Sequence, residues 1–167
     1  MDNGTIFVRS PQVKLTPPTS IASAVGIPLA PGAPLLRAEV GPVWLVSEMS
    51  DAAALAAVKP DMSALAEWSE SLNATGVTVF ARSGEADCAI HVRSFAPAHG
   101  IAEDPVCGSG NICVAAYLRH FKKGRSSYVA RQGMQLGRDG RVSMRVSAEA
   151  IELGGRAVTC VEGSLNT

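Results

Sequence analysis

The run Glu103-Asp104-Pro105-Val106-Cys107-Gly108-Ser109-Gly110-Asn111 gathers two carboxylates, a thiol, a hydroxyl and two glycines just ahead of the apolar stretch Ile112–Leu118. If that stretch is a helix, the Gly/Ser turn opens it. Unpaired backbone N–H groups and the positive end of the helix dipole then meet there, which favours an anion. The carboxylate of a small substrate suits such a place, and an acid or thiol beside it can move a proton. The candidates for proton transfer are Asp104 and Cys107. Those for holding the substrate are Gly108, Ser109, Gly110 and Asn111, the last adding a polar contact.

Each candidate also has a plainer reading. Asp before Pro is a good helix N-cap. Cys107 is either a thiol whose pKa a helix N-terminus lowers or a small apolar residue in a turn. Gly-Ser-Gly alone is a tight entry into a helix. His99 lies just upstream and either borders the site or sits on the surface. His91 falls on the polar side of an alternating strand, where solvent exposure is the default.

The elements around the motif follow from pattern and punctuation. Up to Leu36 the chain carries Pro11, Pro17, Pro18, Pro28, Pro31 and Pro34, which argues against a long helix. It reads as an entry strand, one short helix over 19–26 and a linker, with no first core strand of its own. Two domain segments result: 1–36 joins the lobe, and 37–167 forms it. Strands are expected over 40–46, 76–81, 87–95, 127–132, 141–146 and 157–161. Ser50–Val58 and Asp61–Ser69 read as capped helices separated by Pro60.

In the strand over 87–95, Cys88, Ile90 and Val92 face one way and His91 and Arg93 the other. Ile112–Leu118 has no polar stripe, so its helix is buried on all sides. Strands before and after it must wrap it. The fold class is α+β: a rolled mixed sheet or barrel around one central helix, with small helices outside.

Composition narrows the function. The 167 residues are 47% hydrophobic but only 5% aromatic, so the core is built from Ala, Val, Leu and Ile. Fifteen basic and fifteen acidic residues balance, which excludes the basic excess of a nucleic-acid or anionic-membrane binder. The cluster Arg119–Arg125 follows the apolar helix, where cations belong. No apolar run is long enough to span a bilayer, and Met1–Thr5 does not read as a secretion signal. The four cysteines are scattered with no CxxC pair, so neither a disulfide framework nor a metal centre is expected. Cys88, Cys113 and Cys160 read as core. A cytoplasmic protein with free thiols fits.

Phe95-Ala96-Pro97 followed by Gly100-Ile101-Ala102-Glu103-Asp104-Pro105-Val106-Cys107-Gly108-Ser109-Gly110 resembles the F-x-P … G-x-x-E-D-P-(V/A)-T-G-S-A signature of the phenazine-biosynthesis PhzF-like proteins. Gly41-Pro42-Val43-Trp44 ahead of it fits, as do Arg131-Gln132-Gly133, Gly154-Gly155-Arg156 and Glu162-Gly163 behind it. The resemblance runs from about Gly26 to Leu165. It implies the diaminopimelate-epimerase-like fold: two similar lobes, each a rolled sheet around a helix, with the active site between them.

By the same resemblance, members are cofactor-independent isomerases and epimerases that shift a proton on a small carboxylate metabolite. Asp104 matches the functional Asp, and Gly108, Ser109 and Gly110 match the carboxylate cradle. Cys107 replaces the usual Thr and resembles the Cys-Gly-Thr-Gly of diaminopimelate epimerase and proline racemase. Asn111 replaces Ala or His. Only the second lobe is matched, and the catalytic Glu of the first lobe has no counterpart. The expectation is half of an isomerase, completed by a separately encoded N-terminal lobe or by a second copy as a homodimer. The alternative is a catalytically incomplete remnant or a stand-alone binding or dimerisation lobe.

Overall fold

The computed structural model describes residues 4–19 and 26–164. Residues 20–25 of the short helix expected over 19–26 lie outside that range. The strands are β1 (Thr5–Arg9), β2 (Lys14–Thr16), β3 (Leu36–Glu39), β4 (Val43–Glu48), β5 (Gly76–Arg82), β6 (Ile90–Ala96), β7 (Ile101–Asp104), β8 (Ser127–Gln132), β9 (Gly140–Val146) and β10 (Ile151–Arg156). The helices are α1 (Ala52–Ala57), α2 (Met62–Ser71) and α3 (Gly108–His120). One sheet runs in the order β1-β10-β9-β8-β6-β5-β4-β3-β2, with β7 paired to β6 off this path.

Two neighbouring pairs, β4–β5 and β6–β8, are parallel. A parallel pair needs a long crossover. Helices α1 and α2 make the first and α3 the second. They lie on opposite faces of the sheet. Val77, Val79 and Ala81 pack with Leu55 and Leu65 on the outer face, whereas Phe80, Ile90 and Val92 pack with Cys113, Val114 and Tyr117 on the inner one. The period of two along β5 and β6 therefore feeds two cores.

Asp51 and Asp61 start the outer helices. The Asp51 carboxylate accepts from Ala54 N at 2.7 Å, and Asp61 accepts from Ser63 N and Ala64 N at 3.1 and 3.0 Å. Pro60 between them cannot continue a helix. Helix α3 buries every residue from Gly110 to Leu118, as its unbroken apolar sequence predicts. It packs against β3, β4 and β5 on one side and against β9 and β10 on the other. The sheet is thus rolled around it.

The roll is open, which corrects the barrel alternative. The edge strands β1 and β2 do not pair with one another among the described residues. They are nonetheless joined only by Ser10–Val13, a link that spans at most about 18 Å, so the two edges approach. The Pro-rich segment supplies both edges: β1 pairs with β10, and β2 with β3.

Three further expectations change. The last strand is β10, not 157–161; Val158 and Val161 are 85% and 89% exposed. Both sides of β10 are already taken by β9 and β1, so the β-prone Ala-Val-Thr-Cys-Val has no strand to join. Cys160 is exposed there rather than core. The polar side of β6 is not wet either: His91 and Arg93 are 9% and 5% exposed. Strand β6 is central, and α1 lies over it. Arg93 Nη1 donates to the carbonyls of Leu55 and Val58 at 3.0 and 2.8 Å, satisfying the end of α1, and its Nε and Nη2 grip Glu103 at 2.9 and 2.8 Å. A buried guanidinium survives because it is fully paired.

Candidate functional site

The motif spans the end of β7 and the first turn of α3. Asp104 does not cap the helix. Its Oδ1 accepts from Val106 N at 3.0 Å, an Asx turn that bends the chain out of β7. The N-cap is Cys107, whose Sγ accepts from Gly110 N at 3.2 Å. Asn111 N begins the helical ladder on Cys107 O at 3.1 Å. The amides of Gly108 and Ser109 have no acceptor among the described residues, which leaves two donors at the positive end of a thirteen-residue helix.

Ser109 is half-buried, and its Oγ accepts from Trp44 Nε1 at 2.9 Å. With a lone pair engaged by the indole, the hydroxyl hydrogen remains available to a neighbour. Cys107 Sγ lies 3.6 Å from the same oxygen. Asp104 is also half-buried, so a carboxylate, a hydroxyl and two amides share one turn of chain.

A hidden frame holds this turn. Asn111 is fully buried, and its Nδ2 donates to Cys107 O and to Gln132 Oε1, both at 2.8 Å. Gln132 Nε2 in turn donates to Asp104 O at 2.8 Å. Asn111 therefore faces the loop it braces, away from the open side. Gly110 sits where a Cβ would lie 2.8 Å from both Thr78 Oγ1 and Ser94 Oγ. Those two hydroxyls are buried and 3.0 Å apart. Only glycine lets the helix start so close to β5 and β6.

The structure reverses the expected tuning of Cys107. The thiol is 4% exposed. Burial, the largest influence, pushes its pKa up, and the hydrogen bonds from Ser109 and Gly110 offset only part of that. A helix N-terminus lowers a thiol pKa when the thiol stays hydrated; here desolvation wins. His99 is exposed on the 3-10 turn Pro97–His99 leading into β7. A cleft of about 430 Å³ lined by Arg9, Arg119 and Glu149 lies at the opposite end of α3.

Sequence reasoning missed Trp44, Thr78, Ser94 and Gln132. The available signal was a polar residue on a core-facing strand position. Gln132 follows Tyr128 and Ala130 on the inner face of β8, and a polar group there needs a buried partner.

This order of elements, with this motif between β7 and α3, matches the phenazine biosynthesis-like family PhzC-PhzF across residues 6–163. The chain belongs to that family. The match begins ahead of Gly26 and so takes in β1 and β2.

The chain is 33% identical over 162 residues to antisense-enhancing sequence 1 of Schizosaccharomyces pombe, covering 91% of this chain and 54% of that protein. It is 34% identical over 157 residues to an uncharacterized isomerase of Deinococcus radiodurans, covering 86% and 50% respectively. It superposes on the crystal structure of the Bacillus anthracis PhzF-family phenazine biosynthesis protein with a TM-score of 0.77 at 20% identity, over 91% of this chain and 57% of that one. The likeness shows the fold: the diaminopimelate-epimerase-like rolled sheet around a helix. The chain spans about half the length of the relatives it matches.

Proposed function

We propose that this chain is one half of a PhzF-like isomerase that moves a proton on a small carboxylate-bearing metabolite without a cofactor. The observation that carries this reading is the pair of unpartnered amides, Gly108 and Ser109, at the start of α3 beside the Ser109 hydroxyl and the Asp104 carboxylate. The amides and the hydroxyl bind the substrate carboxylate. Asp104, on the same turn, faces the reacting carbon and carries or orients the moving proton. Cys107 anchors the turn as a neutral thiol, in keeping with its burial.

Transfer across a substrate carbon needs a group on its far side. That group belongs to a partner lobe, either a separate chain or a second copy. The exposed Ile101, Val106 and Leu136, at 44%, 45% and 44%, flank the motif in the chain and on the turn after β8, and they suit an apolar cover.

Proton transfer is read directly as exchange. The protein is incubated in D₂O with a panel of small carboxylates, alone over a concentration series and together with a first lobe from a PhzF-like relative. NMR then follows loss of the substrate C–H signal. Exchange that appears on adding the lobe, or that rises more steeply than in proportion to protein, and that Asp104→Asn abolishes, is the expected result. No exchange under any of these conditions assigns the chain to the non-catalytic reading: a remnant or a binding lobe.

A further inference from the structure

On the outer face of the sheet, away from α3, lies a second group of chemically able side chains. Glu85, Cys88 and His91 offer a carboxylate oxygen, a thiol sulfur and an imidazole nitrogen that all lie within 4.8 Å of one another. We propose that they form a binding site for a divalent transition-metal ion of the zinc class, unrelated to the proton-transfer site.

The spacing Glu85-x₂-Cys88-x₂-His91 brings them together through the bend that enters β6. Mixed sulfur, nitrogen and oxygen donors suit zinc or cobalt and not magnesium or calcium. The separations are close to what is needed. Cys88 Sγ is 3.2 Å from Glu85 Oε2 and His91 Nε2 is 3.3 Å from the other oxygen, Oε1, so a turn of the carboxylate is required to bring one oxygen to both. With bonds of about 2.0–2.3 Å, the edges of a tetrahedron around zinc are about 3.3–3.8 Å.

The imidazole supplies an independent sign. His91 is 9% exposed, and its Nε2 has no hydrogen-bond partner although it points at Glu85; the pair is close but misaligned for a hydrogen bond. A buried nitrogen left without a partner is costly, and a metal ion would satisfy it.

The surroundings resemble an outer shell. Arg131 Nη1 donates to both oxygens of Glu85 at 3.2 and 3.0 Å and so fixes the carboxylate. Ser83 Oγ lies 3.3 Å from Cys88 Sγ, accepting from the thiol in the metal-free protein and placed to donate its own hydrogen to the thiolate that a metal would bind. Such partners orient ligands and tune their affinity. Asp139 and Asp87, bound by Arg131 and Arg141, bring the local charges to three acids against two guanidiniums. Glu85 is exposed, which gives an ion a way in and leaves a fourth position for water.

Cobalt(II) titration of the metal-stripped protein tests the site by absorption. The expected result is one Co²⁺ per chain, with a sulfur-to-cobalt charge-transfer band and visible bands of tetrahedral intensity, bleached by added Zn²⁺. Cys88→Ser removes the charge-transfer band, Cys160→Ser leaves it, and Glu85→Gln weakens Co²⁺ binding at least tenfold. Absence of the band at saturating Co²⁺, or a band that survives Cys88→Ser, overturns the proposal. If Cys88→Ser does not fold by circular dichroism, the exposed-site variant Glu85→Gln decides: unchanged Co²⁺ affinity there also overturns it.

Discussion

Trp44 Nε1 donates to Ser109 Oγ at 2.9 Å, tying the first turn of α3 to strand β4. The two residues are 65 apart in sequence, and Trp44 is 3% exposed, so the bond is a tertiary constraint on the site itself. Trp44→Phe keeps most of the ring and removes the donor. The expected cost is about 1–2 kcal/mol in urea unfolding. Binding of small carboxylates should also weaken, because Ser109 loses the bond that sets its rotamer.

Gly110→Ala sets two effects against each other. Alanine gains up to about 1 kcal/mol of helix propensity. Its Cβ would meet Thr78 Oγ1 and Ser94 Oγ at 2.8 Å and Cys107 Sγ at 3.1 Å. Overpacking of this kind typically costs about 1–3 kcal/mol. The crowding should win, giving a lower urea midpoint than wild type, while Ser94→Ala in the same background restores part of the loss.

Asn111 and Gln132 act as one device. Asn111→Ala strands Gln132 Oε1, and Gln132→Leu strands an Asn111 hydrogen and Asp104 O. Each single change should cost about 1–3 kcal/mol. The double variant should cost clearly less than the sum, since both remove one network. A double-mutant cycle by urea unfolding measures the coupling, and additive losses would show that the two amides act separately.

Much of this architecture is legible before any coordinates. Asp51, Asp61 and Pro60 declare the outer helices, and the unbroken apolar run Ile112–Leu118 declares the buried one, because caps and period are local properties. Strand β3 is not legible: Leu-Arg-Ala-Glu has no β-branched residue and becomes a strand because the Gly41 turn folds it onto β4. Strand β10 hides behind Gly154 and Gly155. Gly154 is there because Phe7 of β1 lies over it, where a Cβ would come within 2.5 Å of the ring. At the site, the motif announces Asp104, Ser109 and the glycines, while the frame that holds them comes from Trp44, Thr78, Ser94 and Gln132, distant in sequence. Burial of Cys107 is likewise a tertiary fact, and it overturns the local expectation from the helix terminus.

The thiols carry a pH signature. Burial raises Cys113 from the ordinary thiol value of 9.0 to about 12 and pushes Cys107 up as well. Burial also lifts Tyr117 from 10.0 to about 12. These groups are held protonated in the folded state, whereas the unfolded chain releases their protons at the ordinary values. Their stabilising contribution is therefore complete below pH 9 and is lost as pH rises from 9 towards 12. Urea midpoints should fall through that window. At neutral pH iodoacetamide should label exposed Cys160 first, with Cys107 and Cys113 protected; rapid labelling of Cys107 would contradict its buried, neutral state.

The central claim is that the start of α3 holds a carboxylate through the Gly108 and Ser109 amides. The most direct test is an NMR titration of the ¹⁵N-labelled chain with a panel of small carboxylates. The account predicts saturable shifts centred on the Gly108 and Ser109 amides, much weakened in Ser109→Ala. Shifts confined to the Arg9–Arg119 cleft, or no response at Gly108 and Ser109 to any member of the panel, would contradict it.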